Sequence, residues 1–226
     1  MKLVVAIEGM DGAGKSSLAL SMQRFCAHHG QACTLIGRRG TCASGVVNKL
    51  TRLLNEQIRD LTPHADLFLR MAREYQRAYL AASAPSGLVV LDRFVLSILA
   101  LARLNGQDPE LLTPLLREIA LRANLHATIF VRCPFEVAGN RVVERKPASA
   151  AKIVRSEKLL RKMAEVMEEE FHRGLITGQQ WLVDNSKSLE DAEAELADYL
   201  LPYLSKKANT TAASPDESAS PSPAAG

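Results

Sequence analysis

The octapeptide GMDGAGKS at residues 9–16 constrains the fold of this chain more than any other segment. It satisfies the pattern G-x-x-x-x-G-K-[S/T] in full, between an apolar run at residues 2–7 and a helical pattern that begins at Lys15. In such a unit the small residues let backbone N–H groups turn inward around phosphate oxygens, and the positive end of the helix faces the same point. The sequence therefore predicts a phosphate-binding loop after the first strand.

The side chains of this loop have expected roles in binding ATP and Mg²⁺. Lys15 should bridge the β- and γ-phosphates, and the hydroxyl of Ser16 should ligate Mg²⁺. The loop residues expected to contact ATP are Gly9, Asp11, Gly12, Ala13, Gly14, Lys15, Ser16 and Ser17.

Short apolar runs alternate with long helical patterns along the chain. Strands are predicted at residues 2–7, 32–36, 88–91, 127–131 and 181–183, each apolar on consecutive positions, as strands covered on both faces are. Helices are predicted at residues 15–29, 45–58, 64–82, 94–104, 109–123, 135–144, 157–173 and 188–204. This alternation predicts an α/β P-loop NTPase fold with a five-stranded parallel sheet flanked by helices.

The length of the chain favours one domain. With 226 residues, 47% of them hydrophobic, it can bury one sizeable core. We assign the domain to residues 1–204. Residues 205–226 are rich in Ser, Pro and Ala, and a disordered tail is predicted there.

Charge, hydropathy and cysteine content exclude several classes of protein. The net charge of +3 is too small to indicate a nucleic-acid or membrane surface. No stretch reaches the roughly 18 uninterrupted apolar residues that a membrane-spanning helix needs. The first apolar run is too short for a signal peptide. The four cysteines form no C-x-x-C pair. We therefore expect a soluble cytoplasmic protein with reduced thiols and with neither nucleic-acid nor membrane partners.

A second anchor for ligands follows the strand LVVL at residues 88–91. Asp92 should lie at the carboxyl edge of the sheet beside the loop, where ligands bind in open α/β sheets. There it can organise Mg²⁺ or orient an acceptor phosphate, although it could instead cap the helix that begins near Phe94. The adjacent Arg93 can bind an acceptor phosphate with two parallel hydrogen bonds.

Transfer between two phosphates requires several cations, because the reacting groups repel each other. A basic residue taken alone is more often a solvated surface charge than a ligand-binding group, but the position of Arg93 beside Asp92 favours Arg93 as a binding residue. The candidates are Arg38, Arg39, Arg73, Arg93, Arg141, Arg145, Lys146 and Lys152.

Residues 7–17, together with Asp92, Arg93, Phe94 and Ser97, resemble the thymidylate kinase family of P-loop nucleoside monophosphate kinases. The most specific parts are E-G-x-D-G-A-G-K-S and the D-R-[YF]-x-x-S-x-x-A stretch at residues 92–100, and the similarity covers most of residues 1–204. The resemblance implies a mobile lid, a possible homodimer, and phosphorylation of deoxythymidine monophosphate (dTMP) to the diphosphate by ATP.

The resemblance also implies acceptor-binding roles for individual residues. Asp11 matches a residue that contacts the acceptor sugar and phosphate, and Arg93 matches the acceptor-phosphate arginine. Arg73 resembles the arginine that reaches the base, with Phe68 as a stacking aromatic. Ser97 belongs to the same motif as Arg93 and is assigned to the acceptor site.

The lid is predicted at about residues 141–155, a basic stretch broken by Pro147. An ordinary polar loop is the alternative. By resemblance to family members with Gly-Ala after the loop aspartate, Arg145 is the first choice for the catalytic lid arginine, and Arg141 could stack on adenine.

Two segments depart from the family pattern. The family's R-E-P-G-G-T segment appears only as GRRGT at residues 37–41, so either Arg38 or Arg39 could contact the acceptor, and Arg39 is taken as the candidate. Leu101 and Ala102 replace a Tyr-Gln pair whose amide lies near the base. Another nucleotide, a nucleoside or a modified pyrimidine is therefore an alternative acceptor. A nucleotide-binding switch without kinase activity is a third reading, which Asp92 and Arg93 disfavour.

Overall fold

The computed structural model describes residues 2–37, 45–54, 61–145, 150–176 and 178–204, with only the backbone described at 150–156. It contains a five-stranded, all-parallel sheet in the order β2-β3-β1-β4-β5. The strands are β1 (Lys2–Glu8), β2 (Cys33–Ile36), β3 (Gly87–Asp92), β4 (Leu125–Arg132) and β5 (Gln179–Asp184). The predicted fold class is confirmed.

The described helices flank this sheet. They are α1 (Lys15–His28), α2 (Gly45–Arg52), α3 (Pro63–Ser83), α4 (Val95–Leu104), α5 (Pro109–Arg122), α6 (Phe135–Arg145), α7 (Ala150–Arg173) and α8 (Leu189–Leu204). No described helix is both long and apolar enough to cross a membrane. Cys26, Cys33 and Cys133 are free thiols, and Cys42 lies outside the described residues.

The main departure from the predicted elements is at α7, which begins at Ala150 rather than at residue 157. Its first turn contains two alanines, and alanine has the highest helix propensity. The predicted lid therefore covers the end of α6, residues 146–149 and the start of α7. Residues 146–149 lie outside the described residues. The predicted tail and the end of the second helix, residues 55–58, also lie outside it.

The core lies on both faces of the sheet because β1 is buried on both. Leu3, Val5 and Ile7 pack with α1 and α8, whereas Val4 and Ala6 pack with α3, α4 and α5. Alternate residues of a strand point to opposite faces, which explains the continuous apolar run.

The position of β1 determines where a ligand can bind. Its neighbours are β3 and β4, and Ile7 pairs with Asp92 in register. The chain leaves β1 for β2 on one side of the sheet, while β4 lies on the other side. The crevice at such a reversal of strand order, at the carboxyl ends of the strands, is where open α/β sheets bind ligands.

Candidate active site

The predicted phosphate-binding loop lies in this crevice and is packed too tightly to accept side chains at its three glycines, Gly9, Gly12 and Gly14. Gly12 and Gly14 have φ of +85° and +95°. A Cβ at Gly12 would lie 2.1 Å from the carbonyl oxygen of Ala138 in α6, and one at Gly14 would lie 2.1 Å from Nδ2 of Asn185. The loop backbone is therefore fixed by α6 and by the residue that follows β5.

Asn185 is a member of this site that the sequence analysis missed. It is 2% exposed, and its Nδ2 donates to the carbonyl oxygen of Ala13 at 2.7 Å. The available signal was its position two residues after the fifth predicted strand, on the edge of the sheet that carries the loop.

The amino terminus of α1 opens onto the loop. Gly14 is the N-cap residue and provides no side-chain hydrogen bond to the first turn. Helix N-terminal N–H groups with this geometry bind anions well. Ser16 is exposed and Ser17 is half-buried in the same turn, so both hydroxyls lie beside the loop.

Lys15 is almost fully buried, with 7% exposure, and its Nζ donates to the carbonyl oxygen of Met10 at 2.5 Å. Burial, and next to it the charge of Arg93, lower the pKa of Lys15 to about 7, although Asp11, Asp92 and Glu8 act in the opposite direction. The nearby carboxylates therefore do not fully stabilise the charged form of the buried amine. The oxygens of a bound phosphate can stabilise it.

Arg93 joins the loop to the strand that ends at Asp92. Its Nη2 forms an ion pair with Oδ1 of Asp11, and its Nη1 lies 3.5 Å from Oγ of Ser97. Oδ1 of Asp11 also lies 4.0 Å from Nζ of Lys15. The structure therefore brings Asp11 and Lys15 of the loop motif together with Arg93 and Ser97 of the second motif.

Glu8, rather than Asp92, caps α4. The Oε1 atom of Glu8 accepts hydrogen bonds from the backbone N–H groups of Phe94 at 2.7 Å and Ser97 at 3.2 Å. Its Oε2 accepts from Oγ of Ser97 at 2.5 Å. The alternative in which Asp92 caps this helix is therefore wrong. The half-buried carboxylate of Asp92 lies at the crevice, in register with Ile7.

The donor atoms fit a magnesium site that nucleotide phosphates complete. Among the described residues, no group of three or more His, Cys, Asp and Glu side chains could hold a metal ion by itself. Mg²⁺ prefers oxygen ligands and is commonly bound through one or two protein groups together with substrate phosphates. The predicted ligands, the Ser16 hydroxyl and the Asp92 carboxylate, supply oxygen atoms of the kind that Mg²⁺ prefers.

The two predicted acceptor-base residues lie on α3 and differ in burial. Arg73 is 2% exposed, and its Nε donates to Oε1 of Glu74 at 2.8 Å. Its Nη2 is buried and makes no hydrogen bond to a described residue, although it lies 2.7 Å from the same oxygen. Burial lowers the pKa of Arg73, against the effect of Glu74. Phe68 lies on the same helix with 59% of its surface exposed.

The two predicted arginines of α6 differ in their surroundings. Arg141 is half-buried, and its Nη1 donates to the carbonyl oxygen of Asn185 at 3.1 Å, beside the loop. Arg145 is exposed at the last residue of the helix. Arg38, Arg39, Lys146 and the side chain of Lys152 lie outside the described residues.

Comparisons with known proteins agree with this geometry. A family model described as thymidylate kinase matches residues 7–196. A probable thymidylate kinase of Archaeoglobus fulgidus is 27% identical over 213 residues, which cover 92% of this chain and 100% of that protein. A thymidylate kinase of Dehalococcoides mccartyi is 32% identical over 104 residues, or 44% of this chain and 49% of that protein. One of Chlorobaculum tepidum is 30% identical over 95 residues, covering 41% and 44% respectively.

Proposed function

The chain belongs to the thymidylate kinase family, and from this we propose that it transfers the γ-phosphoryl group of ATP, with Mg²⁺, to dTMP. The observation that carries the proposal is the ion pair between Asp11 and Arg93. It places a cation suited to an acceptor phosphate next to the loop suited to the donor phosphates. A nucleotide-binding switch has no need of this second cation.

On the donor side, the proposed roles follow from position. The loop backbone at Gly9, Gly12, Ala13 and Gly14 and the hydroxyl of Ser17 would bind phosphate oxygens. Lys15 would neutralise the transferring group, because its buried amine gains a full charge when phosphate approaches.

Arg141 is proposed to contact adenine, supported by its place beside Asn185 and the loop. Mg²⁺ would be held by Ser16 and Asp92, and it would supply charge neutralisation between the donor phosphates.

On the acceptor side, Arg93 would exchange its contact with Asp11 for the acceptor phosphate, leaving Asp11 for the sugar. Arg73 is proposed for the base on the family resemblance, and Ser97, whose Oγ lies 3.5 Å from Nη1 of Arg93, is proposed to support Arg93. Arg39 and Phe68 are proposed on the family resemblance alone.

Closure of a lid formed by residues 141–155 would bring Arg145 to the transferring group, since its exposed position leaves it free to move with the end of α6. We assign the catalytic roles to Lys15, Asp92, Arg93 and Arg145.

The test is an acceptor profile at fixed ATP and Mg²⁺, with each deoxynucleoside and nucleoside monophosphate, read as diphosphate formed. We expect dTMP to give the highest kcat/KM. Lys15→Ala should lower kcat by at least ~10³-fold while the circular dichroism spectrum is unchanged. Lys162→Ala is the matched control, because it removes an exposed amine of α7 that pairs with Glu165 rather than with a residue of the loop. Absence of diphosphate from every acceptor would reject the kinase assignment.

A second candidate is a kinase for another nucleotide, a nucleoside or a modified pyrimidine. Ala102 stands where the family pattern has Gln, and it is fully buried within the apolar cluster between α3, α4 and α5. An apolar position there offers no amide to a base, so discrimination by hydrogen bonding is weakened. A clear preference for dTMP in the acceptor profile would reject this candidate.

We also propose a homodimer and a cytoplasmic location. Tyr75 and Tyr79 lie four residues apart on one face of α3 and are 47% and 63% exposed, which supports a protein partner for this face. A monomeric mass in sedimentation velocity would contradict the dimer. The free thiols of Cys26, Cys33 and Cys133 support a reducing compartment, which cell fractionation would check.

A further inference from the structure

Arg93 adopts a backbone conformation that a non-glycine residue rarely adopts. Its φ is +55°, in the left-handed region. Such a conformation persists only where the surrounding structure enforces it, and it is found most often at functional sites. The contacts that enforce it here therefore control where the Arg93 guanidinium points.

Both peptide groups that flank Arg93 are held at each end. In the first, the Arg93 N–H donates to the carbonyl oxygen of Ile7 at 2.9 Å, and the Asp92 carbonyl accepts from Nη2 of Arg77 at 2.9 Å. In the second, the Phe94 N–H donates to Glu8 at 2.7 Å, and the Arg93 carbonyl accepts from Nη1 of Arg77 at 2.6 Å. The orientations of the two peptide planes determine φ and ψ of the residue between them, so these contacts fix the left-handed conformation.

Arg77 provides two of the four contacts, from a different element. It is fully buried in α3, and its Nη2 also donates to the carbonyl oxygen of Ile36 at the end of β2, at 2.6 Å. The rigid guanidinium thus binds three carbonyl groups from two neighbouring strand ends. Lysine, with a single ammonium, cannot reproduce this planar arrangement.

The charge of Arg77 is held in place by Glu74, which is fully buried on the same helix. Its Oε2 pairs with Nη1 of Arg77, and its Oε1 pairs with Arg73. A buried cation is retained only when an anion and hydrogen bonds compensate its loss of water. Glu74 therefore couples the proposed base-binding Arg73 to the residue that holds Arg93.

We propose that Arg77, supported by Glu74, is a positioning residue that holds Arg93 in its left-handed conformation and so aligns the acceptor phosphate. The proposal rests on the proposed function, in which Arg93 binds that phosphate. Arg77 itself touches neither substrate nor the reacting atoms.

The test uses Arg77→Lys and Arg77→Gln in the full chain. Arg77→Gln removes one of the two partners of Glu74 but leaves it paired with Arg73, so neither remaining buried charge is without a partner and we expect the variant to fold. We expect each variant to lower kcat at least ~10-fold, with the KM for ATP within ~2-fold of wild type, because the hydrogen bonds of Arg77 go to Glu74 and to three strand-end carbonyls rather than to the loop. Arg70→Lys, on the same helix and paired with Asp66, is the matched control and should keep wild-type kcat.

A double-mutant cycle separates positioning from a general structural role. In an Arg93→Ala background, Arg77→Lys should cause less than ~2-fold further loss of kcat, because the residue through which it acts is gone. Losses that multiply, or wild-type kcat in both Arg77 variants, would overturn the proposal.

A crystal structure of Arg77→Gln without ligand gives a readout independent of activity. We expect the φ of Arg93 to become negative and its ion pair with Asp11 to be lost. A φ that stays near the wild-type value with the Asp11 pair intact would overturn the proposal. Failure of the proposed function would instead appear as a wild-type protein that phosphorylates no nucleotide, whichever conformation Arg93 adopts.

Discussion

At the scale of single residues, the site combines a buried lysine, a partly buried arginine and an exposed aspartate, and ligand phosphates would balance the charge of the two cations. Lys15 and Arg93 lie within reach of Asp11, and Glu8 is buried beneath them. The cations repel each other, which contributes to the lowered pKa of Lys15. The positive potential from Lys15 and Arg93 therefore attracts an anion to the free protein.

Lys15 should take up a proton when ATP binds. With a pKa of about 7 in the free protein, it is mostly neutral at pH 8.5, and phosphate raises that pKa. The complex then holds more protons than the free protein, so affinity for MgATP falls as pH rises through about 7. Isothermal titration calorimetry at pH 8.5 in buffers of different ionisation enthalpy should give uptake of about one proton.

Lys15→Met is the control for this measurement, since it has no titratable group at that position. The variant should bind MgATP more weakly and without the uptake. Equal uptake by both proteins would show that the proton goes elsewhere.

At the scale of elements, the loop owes its shape to β4, to α6 and to the segment after β5. Gly9 has φ of +137°, and a Cβ there would lie 2.5 Å from the carbonyl oxygen of Val131 in β4. Gly12 meets α6 in the same way. Backbone contacts of this kind leave no room for side chains, so the glycines allow both the turn and the close packing.

Gly12→Ala should disrupt this packing, whereas Gly30→Ala should not. Both glycines have positive φ, +85° and +63°, but a Cβ at Gly30 has nothing within 4 Å. Gly30→Ala should therefore cost only the ~1–2 kcal/mol of a left-handed alanine. Gly12→Ala adds a clash with backbone and should also weaken ATP binding at least ~10-fold. Urea unfolding and nucleotide titration measure the two effects, and equal values for the two variants would contradict the packing argument.

At the scale of the whole molecule, residues far apart in sequence share one site because of the order of the strands. With β1 between β3 and β4, the carboxyl ends of β1 and β3 lie side by side, and Asn185 after β5 reaches Ala13 from the β4 side of β1. The C-terminal helix α8 completes the core on the face of α1 through Leu196 and Leu200. We propose on this basis that the kinase domain extends to residue 204.

A chain that ends at Leu204 should unfold within ~2 °C of the full chain and keep its activity. The single tryptophan, Trp181, is 4% exposed and stacks on Tyr199 of α8 at 5.2 Å, so its fluorescence reports this end of the domain. A chain that ends at Glu195 loses Leu196 and Leu200 and should be strongly destabilised. A large change on removing residues 205–226 alone would show that they belong to the domain.

Local patterns in the sequence were sufficient to predict the elements and the central part of the site. The apolar runs located all five strands, and the loop motif located Lys15 and Ser16. Asp92 and Arg93 were placed beside the loop because the carboxyl ends of parallel strands share one edge. These inferences need only local sequence patterns and the general rule that parallel strands end at one edge of the sheet.

Contacts between distant residues were decided only by the tertiary structure. Glu8 caps a helix that begins 87 positions later, at Val95, and Arg77 binds the carbonyl of Ile36 across a separation of 41 residues. In sequence, Arg77 and Glu74 look like ordinary charges on a helix surface, because burial depends on which helix packs against which strand. The sequence alone therefore determined the phosphate loop and the order of elements. Only the packed structure, where register and burial fix the partners of each charge, decided how Arg93 is held.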